Sequence, residues 1–261
     1  MQLIQLMGEP NSYDVIGHVA IIEVPEGADE KLIAENIMKN KSIRTVVKKA
    51  SAREGVHRTR QLKIIAGEKN LETIHKEHGM VYKLDVGKAY FSPREGEERQ
   101  RITNEVKDNE TVLVMFAGIG AYAIAITKKK PTTKVYAVEI NSDAYEYMKT
   151  NIRLNRVDAL VYPLKGDVRV VCKNMDGKFD RVVMPSPSNA HEFLDVAIKC
   201  LKKGGWIHFY TINREGEEDA GKELLAKAAE KLGRNAINAE SRKVLPYAPR
   251  MWKRCVEAQI N

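Results

Sequence analysis

Two glycines and an acid stand at a spacing that could hold a nucleoside. Gly118 and Gly120 follow an apolar run at 111–115. A second apolar run, 135–138, ends at Glu139. Glycine lets the backbone turn tightly and approach a ligand that a side chain would keep away. A carboxylate at the second strand end can accept both hydroxyls of a ribose, and Glu139 follows Gly120 by about the 20 residues expected of a nucleotide site. The pattern predicts a strand, a glycine turn, a helix and a second strand around a nucleoside.

The third glycine of a dinucleotide site is missing, and this bears on which nucleoside is bound. The pattern G-x-G-x-x-G requires a glycine where this chain has Ala123. This departure disfavours NAD and favours S-adenosylmethionine (AdoMet), which has a ribose but no pyrophosphate. A third apolar run, 160–165, ends in Gly166 and Asp167, so that Asp167 could meet the adenine amino group. A turn that binds no ligand could account for the two glycines. Three features at successive strand ends, taken together, favour AdoMet.

The elements that must position these residues alternate along the second part of the chain. Predicted helices and strands follow one another from residue 94 to the end, with Asn141 or Ser142 as the N-cap of one helix. Such alternation indicates a parallel sheet with helices on both faces, a Rossmann-like α/β fold. The predicted helices are 94–107, 121–130, 141–155, 191–201 and 215–232, and the later predicted strands are 181–184, 206–212, a strand around Val244, and 251–260.

The first part of the chain has a different pattern. It predicts a small α+β unit rich in antiparallel strands, and Phe91-Ser92-Pro93-Arg94 then interrupts the pattern. We therefore expect two domains, 1–90 and 91–261. The predicted elements of the first are a strand at 13–24 with Gly17 as a bulge, a helix at 28–39, and strands at 43–47, 62–66, 73–75 and 80–86.

The composition excludes several classes of protein. The chain has 261 residues, of which 43% are hydrophobic and 30% charged, as expected of a folded globular protein. It shows no basic-then-apolar leader, and no run nears the roughly 20 apolar residues that cross a membrane. Cys172, Cys200 and Cys255 show no C-x-x-C spacing, and His75 and His78 have no cysteine nearby. We therefore expect a cytoplasmic protein that binds no metal. Separately, we expect a monomer.

The formal net charge of +8 is concentrated in two stretches. Residues 41–63 carry many bases and one acid, Glu54, while 242–254 carry bases and no acid. Clustered bases suit a nucleic-acid backbone, whereas a solvated face on a lysine-rich protein is the alternative. The bases are Lys41, Arg44, Lys48, Lys49, Arg53, Arg58, Arg60 and Lys63 in the first stretch, and Arg242, Lys243, Arg250, Lys253 and Arg254 in the second.

Several motifs longer than the glycine turn run along the chain from Tyr13 on. They are YDVIGHVAII, GVHRTRQLKIIAGE, ETIHKEHGMVYKLDV, KAYFSPREGEERQRI, MFAGIG, AVEINSDAYEYMKTNIRLN, DRVVM, AHEFLD, GGWIHFYT and RKVLPYAPRMW. With these motifs the chain resembles the archaeal and eukaryotic-type tRNA (guanine-37, N1)-methyltransferases and their relatives, the wybutosine-pathway aminocarboxypropyl transferases. K-x-YFSPR-x-x-x-ER and the HEFLD segment are far more specific than the glycine turn.

The resemblance implies a class I AdoMet-dependent methyltransferase fold with a smaller RNA-positioning domain, and the anticodon stem-loop of tRNA as substrate. It implies that Arg58 lies beside the target guanine, that Tyr90 lies near the bound nucleotide and that Glu98 is the general base. The positions that fall on cofactor contacts of the family are Arg99, Phe116, Gly118, Gly120, Glu139, Ile140, Asp167, Val168 and Pro185.

The residue types suit transfer of a methyl group to guanine N1. This nitrogen carries a proton, and its removal pushes negative charge onto O6. A carboxylate such as Glu98 can take the proton, and a guanidinium such as Arg58 can stabilise O6. On residue type alone, Glu98 could instead be an exposed acid of EGEER, Arg58 a phosphate contact and Tyr90 a packing residue.

One departure from the residue pattern of the family leaves alternative functions open. The methyltransferases of the family usually carry Asn-x-Pro after the DRVxM strand, where this chain has Pro185-Ser186-Pro187. The amide that could hold the edge of the base is therefore missing, and the proline ring removes an N–H. The prediction is methyl transfer from AdoMet to N1 of guanosine 37. The alternatives are 3-amino-3-carboxypropyl transfer in the wybutosine pathway and an inactive RNA-binding homologue.

Overall fold

The computed structural model describes residues 13–50, 61–186, 189–217 and 219–261. The chain divides into two compact units, Met1–Gly96 and Glu97–Asn261. The predicted domain boundary between residues 90 and 91 stays a prediction. Within the described ranges, no helix is both long and apolar enough to span a membrane.

The first unit contains a four-stranded sheet and a separate hairpin. In the order β1-β2-β3-β4, the pair β2–β3 is parallel and its two neighbouring pairs are antiparallel, while β5 and β6 pair with each other. The elements are β1 (Tyr13–Ile16), β2 (Val19–Ile22), α1 (Glu30–Met38), β3 (Thr45–Lys49), β4 (Leu62–Gly67), β5 (Glu72–Glu77), β6 (Met80–Asp85) and a 3₁₀ turn (Pro93–Glu95).

Helix α1 makes the crossover between the two parallel strands, as such a connection requires. The Asp29 side chain caps it by accepting hydrogen bonds from the amides of Lys31 and Leu32. Its buried residues, Ile33 and Ile37 among them, pack on the sheet. The spacing of these isoleucines is the one that predicted a helix at 28–39.

The prediction of one strand over 13–24 is wrong, because the chain reverses at Gly17. Ile16 pairs with Val19 across a tight turn, and Gly17 has a φ of +55°. A Cβ at this position would lie 2.1 Å from Oγ1 of Thr73. Gly17 is therefore a turn glycine and not a bulge within one strand.

The second unit is built on a seven-stranded sheet in the order β12-β13-β11-β10-β7-β8-β9. The five strands from β11 to β9 are parallel, whereas β13 pairs antiparallel with both β11 and β12. The elements are α2 (Gly96–Glu105), β7 (Thr111–Met115), α3 (Ala121–Lys129), β8 (Lys134–Glu139), α4 (Ser142–Leu154), β9 (Val161–Lys165), α5 (Val168–Val171), β10 (Phe179–Met184), a 3₁₀ turn (Ala190–Phe193), α6 (Leu194–Cys200), β11 (Leu201–Arg214), α7 (Ala220–Glu230), β12 (Ala236–Ala248) and β13 (Met251–Ile260).

The predicted parallel sheet is found from β11 to β9, whereas β12 and β13 add antiparallel pairs. These strands have no helix between them and join through a tight turn in which Arg250 has a φ of 55°. Two strands so connected must be antiparallel. The chain therefore has helices between the parallel strands and a hairpin at one side of the sheet, so the Rossmann-like α/β class is confirmed.

Successive residues of the central strands face opposite sides of the sheet. On one side, Ile207 and Phe209 of β11 pack in the core formed with α6 and α7. On the other side, His208 and Tyr210 are buried as well. The polar residues of this second side lie next to α2 and α3.

Candidate active site

The turn between β7 and α3 carries the two glycines of the predicted nucleoside site. Phe116, Gly118 and Gly120 all have positive φ angles, of 57°, 58° and 87°. Gly120 is the N-cap of α3, and a Cβ there would lie 2.9 Å from Cγ of Met148 on α4. Both the left-handed backbone and the close packing of α4 therefore require glycine at this position.

Glu139 ends β8 and is anchored to that turn. Its Oε2 accepts a hydrogen bond from the amide of Gly118 at 2.7 Å, and its Oε1 accepts one from the amide of Asn141 at 2.7 Å. The side chain is 8% exposed. Each carboxylate oxygen has two lone pairs and can accept more than one hydrogen bond.

The neighbouring strand ends continue the same edge of the sheet. The amide of Ala117 donates to the carbonyl of Val138, and the amide of Gly166 donates to the carbonyl of Glu139, both at 2.9 Å. Asp167 therefore lies two residues beyond β9, the strand that is paired with β8. Its side chain accepts a hydrogen bond from the amide of Arg169 at 2.7 Å.

The other residues predicted to contact the cofactor have different surroundings. Ile140 is half-buried beyond β8, and Val168 is buried at the start of α5. Pro185 is half-buried directly after β10, which pairs with β7. Arg99 is buried on α2.

The structure gives contacts for two of the three residues predicted to be catalytic. Glu98 on α2 is buried, and its carboxylate contacts Arg101 and Tyr210 within the second unit. Tyr90 belongs to the first unit, where its hydroxyl donates to Oε1 of Glu95 at 3.0 Å. Arg58 lies outside the described residues.

Part of the basic stretch 41–63 is already neutralised inside the first unit. Lys48 and Lys63 both pair with Glu30, and Lys49 pairs with Glu23. These pairs leave less positive charge for RNA than the sequence indicates.

Three potential metal ligands, His208, Cys255 and Glu257, lie close together and buried. They are surrounded by cations: Nε2 of His208 lies 2.5 Å from Arg181, and Glu257 lies 2.8 Å from Arg101. Burial raises the pKa of the Cys255 thiol, so the sulfur stays protonated. Two guanidinium groups and a protonated thiol disfavour a divalent cation, and the cluster is better described as a buried network of charged and polar side chains.

Two long stretches of the chain match domains of known proteins. Residues 73–237 match the TRM5/TYW2 methyltransferase domain, and residues 4–70 match the TYW2 N-terminal domain. The chain belongs to the TRM5/TYW2 methyltransferase family. The family predicted from the sequence motifs is thereby confirmed.

Two relatives within the TRM5/TYW2 family represent its two chemistries. The tRNA (guanine(37)-N(1))-methyltransferase Trm5b of Pyrococcus abyssi is 39% identical over 256 residues, which are 97% of this chain and 76% of the relative. The tRNA(Phe) (4-demethylwyosine(37)-C(7)) aminocarboxypropyltransferase of Methanocaldococcus jannaschii is 36% identical over 250 residues, which are 95% of this chain and 98% of the relative.

Solved structures similar to this chain include complexes with tRNA and with AdoMet. The complex of aTrm5 with tRNALeu has a TM-score of 0.85 and 37% identity, and the match covers 100% of this chain and 75% of that one. TYW2 of M. jannaschii in complex with AdoMet has a TM-score of 0.76 and 33% identity, covering 96% of this chain and 99% of that one. The predicted methyltransferase fold is confirmed.

An aromatic contact beside the glycine turn of this TRM5/TYW2 chain was not predicted from the sequence. The ring of Phe193 packs edge-to-face on Phe116 with centroids 5.0 Å apart, and the Arg169 guanidinium lies 3.9 Å above Phe193. These contacts join the segments after β9 and β10 to the glycine turn. Phe193 stands in the HEFLD motif, but nothing in its spacing indicates a contact with Phe116.

The edge has the chemistry that AdoMet requires. Glu139 presents two carboxylate oxygens for a vicinal diol, Asp167 can accept from an amino group, and Phe116 and Val168 offer apolar surface. The roles of the individual site residues stay predictions.

Proposed function

We propose that this chain transfers the methyl group of AdoMet to N1 of guanosine 37 in the anticodon loop of tRNA. The observation that carries the proposal is the anchored Glu139 at the carboxyl edge of the parallel strands. Its two oxygens are fixed by the amides of Gly118 and Asn141, at the place where a nucleoside binds in a sheet of this type. The relatives named guanine-37 methyltransferases support the choice of substrate.

The cofactor-binding residues divide by the part of AdoMet that each would hold. Glu139 accepts the ribose hydroxyls, and Asp167 accepts the adenine amino group. Ile140 and Val168 border the adenine ring. AdoMet supplies an activated methyl group when it is bound. The carbonyl of Pro185 remains able to accept a hydrogen bond, although this residue has no side-chain amide.

The proton on guanine N1 must leave as the new N–C bond forms and the bond between the methyl carbon and the sulfur of AdoMet breaks, which releases S-adenosylhomocysteine. Glu98 takes the proton and becomes a neutral carboxylic acid, which contributes about 10²–10⁴-fold in rate when the base is well placed. Arg58 stabilises negative charge on O6, and Tyr90 contacts the target nucleotide. Guanosine 37 must also leave the stack of the anticodon loop, at a cost of a few kcal/mol.

A second function has support of its own. The match of residues 4–70 to the TYW2 N-terminal domain and the missing amide at Pro185 both favour aminocarboxypropyl transfer to a wyosine precursor. A different carbon of AdoMet would then face the base. The overall identities to the two relatives, 39% and 36%, lie close together.

The mass of the product distinguishes these functions. The chain is incubated with AdoMet and an unmodified tRNA transcript, and the digested nucleosides are weighed. We expect one added methyl group on guanosine, and none when position 37 of the transcript is adenosine. An aminocarboxypropyl adduct on a transcript that carries 4-demethylwyosine would support the second function. No product on either RNA would indicate an inactive homologue.

A further inference from the structure

Glu98 lies in a buried set of hydrogen bonds that joins α2 to the sheet of the second unit. Arg101, one turn further along α2, donates to both oxygens of the Glu98 carboxylate, at 2.8 and 2.7 Å. The hydroxyl of Tyr210 on β11 donates to Oε1 of the same carboxylate at 2.5 Å. Tyr210 is completely buried, and Glu98 is nearly so. The carboxylate is therefore held in one orientation from two different elements.

Arg101 also lies close to a second carboxylate, that of Glu257. This second contact is important because Glu98 loses its negative charge when it accepts a proton. Nη1 of Arg101 lies 2.8 Å from Oε1 of Glu257 on β13. When Glu98 accepts a proton, it no longer compensates the Arg101 guanidinium. A buried cation without a counter-charge is costly. Glu257 keeps Arg101 compensated in both protonation states of Glu98.

The position of Tyr210 along β11 brings this network to the edge of the sheet. Phe209 pairs with Met184, the last residue of β10. Tyr210 therefore lies level with Pro185, which follows β10. The side chain of Phe209 belongs to the core under α6 and α7, so Tyr210 points to the opposite side, where its hydroxyl meets Glu98.

We propose that Tyr210 and Arg101 are positioning residues for Glu98, which hold its carboxylate in one orientation at the carboxyl edge of the sheet. The inference rests on the proposed role of Glu98 as general base. The groups that face this pair of contacts are Arg101 from α2, Tyr122 from α3, Tyr210 from β11, and Lys253, Cys255 and Glu257 from β13. Burial raises the pKa of both Tyr210 and Cys255, so these two groups stay protonated.

The test measures the pH dependence of single-turnover methyl transfer to the tRNA transcript. Tyr210→Phe removes a donor that stabilises the charged form of Glu98. The acidic limb of the profile should therefore move to higher pH by about one unit, because a hydrogen bond to a charged group has that effect on the two protonation states. Tyr162→Phe is the matched control, since this tyrosine is 37% exposed on β9 and donates to the carbonyl of Ala159.

A second variant keeps the packing of the ring. 3,5-Difluorotyrosine at position 210 fills nearly the same space as tyrosine and is a stronger hydrogen-bond donor. The acidic limb should then move to lower pH, opposite to the effect of Tyr210→Phe. A purely structural role for Tyr210 would change stability in both variants but would not shift the two limbs in opposite directions. The difluorotyrosine variant also tests the positioning role of Tyr210 if Tyr210→Phe does not fold.

Glu98→Ala separates this inference from the function it rests on. If Glu98→Ala binds AdoMet and keeps the wild-type rate, Glu98 is not the base and the inference fails with that role. If Glu98→Ala is inactive while the fluorinated variant has the wild-type profile, the role of Glu98 stands and that of Tyr210 is overturned. Opposite shifts in the two Tyr210 variants support the proposal.

Discussion

The backbone amide of Gly118 donates a 2.7 Å hydrogen bond to the carboxylate of Glu139, which joins the glycine turn to the end of the next strand. A second amide, that of Asn141, holds the other oxygen. The acid is thus oriented by the backbone of the chain itself. A ligand with a vicinal diol would meet oxygens whose directions are already set.

Glu139→Gln should weaken AdoMet binding by about 10- to 100-fold, because an amide cannot accept from both backbone donors and both ribose hydroxyls. Hydrogen bonds to charged groups contribute about 1.5–3 kcal/mol, and 1.4 kcal/mol is tenfold in affinity. Isothermal titration calorimetry measures the change. The control is Glu146→Gln on α4, an exposed acid that pairs with Lys149. Equal affinities of the two variants would contradict a ribose contact at Glu139.

Gly120→Ala should destabilise the second unit by about 2–4 kcal/mol. About 1–2 kcal/mol comes from the left-handed backbone, and a similar amount comes from the contact with Met148. Gly177→Ala is the matched control, since Gly177 has a φ of +63° but no atom within 4 Å of the added Cβ. Urea unfolding of both variants isolates the packing contribution. A Gly120→Ala variant no less stable than Gly177→Ala would show that α4 moves aside at no cost.

Acid should destabilise the fold in two steps. Burial and the neighbouring Arg181 lower the pKa of His208 below 6.5 despite its contact with Glu257. The unfolded chain therefore binds more protons than the folded one below about pH 6.5, so stability falls as the pH drops through this range. Burial alone would raise the pKa of Glu257, but hydrogen bonds from His208 and Arg101 lower it to about 2. A second loss should follow as the pH falls from 4.5 towards 2.

The free energy of unfolding, measured in urea from pH 8 to pH 4, tests the first step. His208→Gln removes the titrating group while keeping a donor and an acceptor in the strand. Its stability should depend less on pH between 6.5 and 5 than that of the wild type. Parallel curves for the two proteins would show that other groups cause the acid sensitivity.

Arg169→Ala should lower the affinity for AdoMet by about two- to fivefold. The guanidinium covers Phe193, which in turn packs on Phe116, and a cation–π contact at an exposed site contributes about 0.5–1 kcal/mol. Arg153→Ala on α4 is the control, since Arg153 is exposed on a helix. If both variants bind AdoMet equally, the contact of Phe193 with Phe116 does not support the cofactor site.

Glu30→Gln should strengthen tRNA binding and make it more sensitive to salt. Lys48 and Lys63 both pair with Glu30, so the change frees two cations of the stretch 41–63. Each additional phosphate contact steepens the slope of log affinity against log salt by about 0.7–0.9. Glu35→Gln on the same helix serves as control. If the slope of log affinity against log salt is unchanged in Glu30→Gln, Lys48 and Lys63 do not contact the phosphates of the RNA.

The elements predicted well from the sequence are those with strong local patterns. β7 has the predicted bounds, and Asn141 caps α4 through its side chain as expected. The strand β12 was largely missed because it is an edge strand whose residues are mostly exposed and polar, so its pattern resembles a loop. The segment 191–201 divides into a 3₁₀ turn and the short helix α6, a difference that propensity does not resolve.

The candidate site was predictable where one motif holds all of the necessary atoms. Gly118 and Glu139 belong to a single strand–turn–helix–strand unit, and their hydrogen bond follows from that unit. The surroundings of Glu98 were not predictable in this way. Its partner Tyr210 is 112 residues distant in the chain, and charged residues such as Glu257 are expected on the surface unless their partners are known.

Both outer strands of the seven-stranded sheet contain a proline, Pro163 in β9 and Pro246 in β12. Proline has no N–H, so neither margin of the sheet presents an unbroken row of donors to an additional strand. The pairing of β12 with β13 is also irregular at three points, which bends this margin away from a flat ribbon. Both margins of the sheet are thereby protected against edge-to-edge pairing with a second copy of the chain.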